Sequence, residues 1–437
     1  MKFELRLMNR RIEPVAQTVV AAVRIDAPQV ATTRAPLDLV ACVDVSGSMA
    51  GPKIERARLS LERLVEQLSA DDRLGIVAFE SRVHRVLAPT AMTPEGKVEA
   101  KRRIGWLEPM GSTALGSGLR ESLELLAKET RPQAIRRVLL FTDGHANVGL
   151  RQGDVPGFAA LLDESAKGAS MSFFGYGEDH DGAFLSALAD LAGGNYHHAV
   201  DADAILDTFG RELGGLLSVV ATDLEVTVRP CPGAGAPVFL NDFRVEGDGG
   251  ARTLHLPEVY AEERRWIVFE LPFAQPASPL PQARQVAEVE VVWRGPSAGR
   301  ERISLSAEVE LVDRGVADAP DAEVREQRVM LRAAQAQRRA GELADRGEFE
   351  AAARLVTDAA AEASGLGTAL GRALGALLSE TSARYGNSQA YRMNRSALTG
   401  LRKGMGRGRA AGTAADSLFE TSSQMDMRRR FRGPTKH

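Results

Sequence analysis

The sequence predicts an α/β protein: a doubly wound, mostly parallel sheet inserted in an antiparallel β-sandwich and followed by a C-terminal helical segment. Three observations carry this expectation. Between 36 and 217, short apolar runs alternate with stretches of helical period, the pattern of parallel strands covered on both faces by helices. On either side, in 1–30 and 221–315, apolar and polar residues alternate one by one, as in antiparallel strands with one face in the core. After Pro320 the chain is rich in Ala, Arg and Glu and free of Pro up to 385.

The elements follow in order. Phe3, Leu5 and Leu7 alternate with Lys2, Glu4 and Arg6, and Val19, Ala21, Val23 and Ile25 repeat the pattern, so each strand should have one buried and one wet face. Leu37 to Val43 reads as a central strand. Lys53 to Leu68 is helical, with Ile54, Ala57, Leu61, Leu64, Val65 and Leu68 on one side. Leu74–Phe79 is a second apolar strand, Val83–Leu87 an edge strand, and Pro94–Ile104 a helix opened by Thr93 with Pro at its first position. Leu115–Glu129 is the next helix, Val138–Phe141 a core strand, and Phe158–Ala166 a helix. Then come the strand Met171–Gly175, the helix Ala183–Ala192, a last strand at Tyr196–Ala199, and a closing helix at 202–217. Past Ala221 the period returns to two: Leu224, Val226 and Val228, then Ala287, Val289, Val291 and Trp293, then Ile303, Leu305, Ala307, Val309 and Leu311. With strands near Phe239–Val245, Thr253–Val259 and Trp266–Phe273, the second stretch holds six, and the N-terminal pair raises the sandwich to eight. Residues 320–385 form a helical hairpin or small bundle broken at Arg346-Gly347, and 386–437 a basic flexible tail.

Composition narrows the function. The 437 residues are 44% hydrophobic, 26% charged and only 5% aromatic, and the net charge is −3, which disfavours a base-stacking nucleic-acid binder. Two cysteines, Cys42 and Cys231, cannot build a disulfide framework or a cysteine zinc site. The opening stretch has no apolar signal core and no run approaches the roughly 18 apolar residues of a membrane span, so a cytoplasmic location is expected. Residues 401–437 carry nine Lys or Arg against three Asp or Glu, a local +6 beside −9 on residues 1–400. That tail is the one part suited to nucleic acid or to an acidic partner.

Chemistry concentrates where the first core strand ends. Asp44, Ser46 and Ser48 occupy alternate positions, so an extended loop aims one carboxylate and two hydroxyls the same way. A site built of oxygen suits a hard cation such as Mg²⁺. Thr113 sits in Gly111-Ser112-Thr113-Ala114 just before a helix, and Asp143 follows the strand that ends at Phe141-Thr142. All these positions lie at carboxyl ends of strands, where open α/β sheets bind ligands. In this order Asp44, Ser46, Ser48, Thr113 and Asp143 form the metal-ion-dependent adhesion site pattern of von Willebrand factor A domains, and Pro36 to Leu217 resembles that Rossmann-like family.

The resemblance implies that these five residues hold Mg²⁺ or Mn²⁺, directly or through water, with one position open to an Asp or Glu of a partner protein. It implies a metal-dependent interaction module or scaffold rather than an enzyme. Its partners would be of the kind that intracellular relatives serve: an AAA⁺ ATPase, a kinase, or a stress or defence system component. The alternative is an accessory subunit of a metal- or ATP-dependent complex, such as a MoxR- or chelatase-like machine. A hydrolytic role would need a general base; His145 and the run Glu178-Asp179-His180-Asp181 are near enough in sequence to be considered, but they read better as loop and rim charge. No Gly-rich phosphate loop, nucleophile elbow or zinc spacing is present, and the adjacent pair His197-His198 is poor metal spacing.

Overall fold

The computed structural model describes residues 1–29, 34–128, 131, 134–143, 146–151, 153–165, 169–176, 181–199, 202–247, 250–274, 282–295, 299–313, 315–406 and 422–432. The chain opens with β1 (Lys2–Leu7), β2 (Arg11–Ile12) and β3 (Gln17–Asp26). It then enters a doubly wound unit: β4 (Leu37–Asp44), α1 (Pro52–Gln67), β5 (Arg73–Phe79), β6 (Val83–Ala91), α2 (Pro94–Ile104) and α3 (Leu115–Lys128) come first. They are followed by β7 (Ile135–Thr142), α4 (Val155–Ser165), β8 (Ser170–Tyr176), α5 (Gly182–Leu191), β9 (Asn195–Ala199) and α6 (Ala202–Leu216). The sheet order is β6-β5-β4-β7-β8-β9. All neighbours are parallel except β6, which runs antiparallel to β5 at the edge. Every residue of β4 is buried, because helices lie on both faces of the sheet and β5 and β7 flank it.

The chain then returns to the first unit with β10 (Val219–Pro230), β11 (Val238–Phe239), β12 (Arg244–Glu246), β13 (Arg252–Tyr260), β14 (Arg264–Phe273), β15 (Gln282–Arg294) and β16 (Arg300–Leu311). These strands and β1–β3 form two sheets, β1-β3-β14-β11 and β12-β13-β10-β15-β16-β2. The N-terminal strands thus pair within the later ones: β3 lies between β1 and β14, in register from Gln17 opposite Phe273 to Asp26 opposite Arg264. Among the described residues ten strands replace the expected eight. The two-residue β2 and β11 are too short to show a period, and the stretch 239–245 divides between the two sheets.

The period-two residues behave as expected on one face and differently on the other. Val19, Ala21, Val23 and Ile25 of β3 join Leu224, Val226, Ile267, Phe269 and Val289 in the core between the sheets. The opposite face of β3 is not wet: Val20 and Ala22 are buried with Trp266 and Val268 against Val324 and Leu331. Those two belong to a 24-residue helix, α7 (Ala322–Asp345), whose N-cap Asp321 accepts from the Val324 amide at 3.1 Å. Arg6 of β1 bonds Asp321 and Glu323, while Arg328 and Arg332 reach Glu270 of β14, each at 2.8 Å. A helix clamped by guanidinium–carboxylate pairs therefore covers the sheet's second face.

Three more helices, α8 (Phe349–Ser364), α9 (Ala369–Ala383) and α10 (Ser388–Gly406), complete this unit around one apolar cluster. The expected flexible tail of 386–437 is corrected over two stretches. Ser388–Gly406 is helical because Tyr391, Leu398 and Met405 recur at every seventh position on one buried face. A further helix, α11 (Ser422–Arg432), belongs to the doubly wound unit, where it packs on α6.

Candidate metal centre

The candidate site is built at the carboxyl edge of the parallel sheet by the loops after β4 and β7, by the loop before α3, and by the first turn of α1. Backbone bonds tie the loop after β4 to the end of β5 and to the loop before α3. The Val45 amide donates to Phe79 O at 2.9 Å, Gly47 to Gly111 O at 3.2 Å, and Ala114 to Glu80 O at 2.8 Å. Gly111 has a φ of +66°, and a side chain there would run into the Glu80 carboxylate, so only glycine lets this loop close on its neighbour. Thr113 is brought alongside by the same bonds and is itself buried. Its amide donates to Asn147 Oδ1 at 2.9 Å, and the Asn147 amide returns a bond to Thr113 O at 3.1 Å.

Four of the five expected ligands share one hydrogen-bonded chain. Asp44 is fully buried; its Oδ1 accepts from the Ser46 amide at 2.8 Å and its Oδ2 from Thr142 Oγ1 at 2.7 Å. Ser46 Oγ and Ser48 Oγ are 3.1 Å apart, and Ser48 Oγ donates to Asp143 Oδ1 at 2.9 Å. The other oxygen of Asp143 is ion-paired with Lys53 Nζ. Burial pushes the Asp44 carboxyl up to about 6; its bonds to Ser46 and Thr142 oppose the rise, and the nearby Asp143 charge adds to it. A buried carboxylate beside a second one favours a cation nearby.

The donor set fits a hard divalent ion. It offers two carboxylates and two hydroxyls in mutual contact, with Thr113 on the adjoining loop, and the Lys53 ammonium already stands as a cation on Asp143. Among the described residues no group of three His, Cys, Asp or Glu side chains could hold a metal.

Sequence reasoning missed Lys53, Thr142 and Asn147. Lys53 carries a readable signal: a cation in the first turn of a helix opposes the macrodipole and calls for a local anion. Thr142 and Asn147 carry none, because a hydroxyl at a strand end and an Asn in a loop are commonplace. The residues weighed for hydrolysis take other places. Asp181 caps α5, accepting from the Phe184 amide at 3.1 Å, whereas His145 and 178–180 lie outside the described residues. His197 stacks on Phe174 and bonds Glu212 Oε2 at 2.8 Å; the side chain of His198 lies outside the described residues.

Comparison with known proteins agrees with this architecture. Residues 39–145 match the von Willebrand factor type A domain model. The chain is 27% identical over 274 residues to the E3 ubiquitin-protein ligase WAV3 of Arabidopsis thaliana, a match that takes in 60% of this chain and 34% of that one. The chain therefore spans about a third of that relative's length. Among solved structures, a von Willebrand factor type A protein from Catenulispora acidiphila superposes with a TM-score of 0.66 at 18% identity, covering 84% of this chain and 87% of the other. The ArnB paralog VWA2 from Sulfolobus acidocaldarius superposes with a TM-score of 0.62 at 17% identity, covering 92% and 98%. At such identities the likeness is one of fold, and it extends well beyond the parallel sheet. No described helix is long and apolar enough to cross a membrane. Strand order and loop placement thus agree with the match of residues 39–145 to the von Willebrand factor type A domain model, and the fold is similar to that of solved proteins of this type.

Proposed function

We propose that this protein is a metal-dependent protein-recognition module. Asp44, Ser46, Ser48, Thr113 and Asp143 hold a Mg²⁺ or Mn²⁺ ion, and the ion's remaining position accepts an Asp or Glu side chain of a partner protein. The observation that carries the reading is the hydrogen-bonded run from Asp44 through Ser46 and Ser48 to Asp143, on loops that the fold brings to one sheet edge. Two carboxylates offset the charge of a divalent ion without saturating its coordination, so an incoming anion is favoured. The similarity to a ubiquitin ligase enters here only as partner binding, the task that a shared domain of this type would perform in both chains.

Titration calorimetry of the full chain with MnCl₂, beside Asp44→Ala, tests the reading. Wild type should take up one ion and the variant none. Equal affinity in both chains would refute the assignment.

A further inference from the structure

Lys53 is placed against its local preference. It stands in the first turn of α1, where unsatisfied amides and the helix dipole repel a cation. The chain reaches this turn through Gly51, at a φ of +79°, and Pro52. From there the ammonium pairs with Asp143 Oδ2 and lies 3.4 Å from Ser48 O. Its side chain remains 37% exposed, while that of Asp143 is wholly covered. A lysine is thus held by the carboxylate that also accepts from Ser48, at the edge of the candidate metal site.

We propose that Lys53, paired to Asp143 beside the Asp44–Ser46–Ser48 run, trades affinity for the metal against affinity for the partner's carboxylate. The inference rests on the metal-site reading above. Asp44, Asp143 and Lys53 together carry −1, so a divalent ion brings the loaded site to +1 and one partner carboxylate brings it to zero. Without the ammonium the loaded site is already neutral, and a carboxylate leaves it at −1. A fixed positive charge next to the site repels the metal and attracts the anion. The two effects have opposite signs and a common source. A lysine that served only to hold the loop would weaken both steps when removed.

The experiment uses the full chain as wild type, Lys53→Gln and Lys53→Arg. Mn²⁺ uptake is read by calorimetry. Carboxylate capture by the Mn²⁺-loaded chains is read by titration with acetyl-Gly-Glu-Gly-amide, with its Gln counterpart as control. Thermal melting of each variant establishes that it is folded. Lys53→Gln should bind Mn²⁺ about fivefold more tightly and the Glu peptide about fivefold more weakly, the range of a partly exposed charge pair. Lys53→Arg, which keeps the charge, should stay close to wild type in both, and raised salt should shrink the differences. A Lys53→Gln chain that is folded and binds Mn²⁺ no more tightly than wild type, or keeps its peptide affinity, overturns the proposal while leaving the metal reading intact. A wild-type chain that takes up no Mn²⁺ overturns both.

Discussion

Replacing Glu212 by Gln should destabilise the doubly wound unit more than almost any other polar substitution. Glu212 lies on α6 and is buried against Arg137 of β7, which is itself 1% exposed. Arg137 also donates to Ser170 Oγ at 3.1 Å and Ser172 Oγ at 3.0 Å, while Glu212 accepts from Asn195 Nδ2 at 2.8 Å. Burial alone would push the Glu212 carboxyl up. Arg137, His197 and Ser172 outweigh it and hold the group well below the usual carboxylate range. Gln keeps the shape and removes the charge, leaving a guanidinium that cannot deprotonate inside the sheet–helix interface. Breaking a buried pair in this way costs about 3–5 kcal/mol. For a unit of this size each kcal/mol shifts melting by about 2–4 °C, so the expected drop is about 6–20 °C. Scanning calorimetry of the full chain at pH 7 reads it. Because the folded carboxyl is depressed, its contribution is complete above the unfolded value of about 4.3 and is lost as pH falls through the lower folded value. The gap between wild type and variant should therefore close on acidification below about pH 4. The double variant Glu212→Leu/Arg137→Met removes both charges together and should recover much of the loss. A single variant melting within about 2 °C of wild type at pH 7 would refute this account of the pair.

Three further outcomes are expected. Gly210→Ala should loosen α11, since a Cβ at 210 would meet Arg428 Cα at 3.0 Å and Met427 O at 3.1 Å, although alanine improves the helix itself by about 1 kcal/mol; proteolysis after 421 should accelerate, and unchanged cleavage would count against this docking. Phe431→Ala should lower the melting temperature of the doubly wound unit, because the ring is 1% exposed and packs on Phe209 at 5.7 Å; a loss of about 2–4 kcal/mol is expected, and a silent variant would leave α11 energetically irrelevant. A chain starting at Pro36 should aggregate, because it lacks β1 and β3 and leaves β14 with an open edge; a soluble fragment with one cooperative transition would refute the pairing seen here.

The parallel sheet and the loop that carries Asp44, Ser46 and Ser48 were legible because their signals are local. An apolar run ending in Asp44-Val45-Ser46-Gly47-Ser48 needs no knowledge of the rest of the chain to be read. The period-two strands showed their sandwich-facing residues for the same reason. What they could not show was the cover on the second face: Val20 and Ala22 are small enough to read as neutral, and the helix that buries them lies some three hundred residues on. The tail misled because its basic composition dominates the eye, whereas the folding signal is three apolar residues seven apart in α10 and the widely spaced Met427 and Phe431 in α11. Asp38, inside the first core strand, is tolerated there only because Arg131 meets it at 3.1 and 3.2 Å, a partner ninety residues away that no window contains.

Four of this chain's buried carboxylates differ in their partners from the two in the candidate site. Asp38 is met by Arg131, Asp72 by Arg34, Glu212 by Arg137 and Glu263 by Arg265. Each is a planar, permanently charged partner that fixes the carboxylate in place. Asp44 and Asp143 are treated otherwise. Asp44 receives a hydroxyl and an amide; Asp143 receives a hydroxyl and the flexible, half-exposed Lys53. Hydroxyls can turn their protons away and offer lone pairs to an ion, and a lysine on a four-carbon stem can yield. An arginine fork could do neither without losing both of its bonds. Introducing it makes the point testable. Lys53→Arg retains the charge, so Mn²⁺ affinity should stay close to wild type, while a fork that yields less readily should slow both uptake and release of the ion. Unchanged rates of uptake and release would show that the yielding of Lys53 plays no part in loading the site.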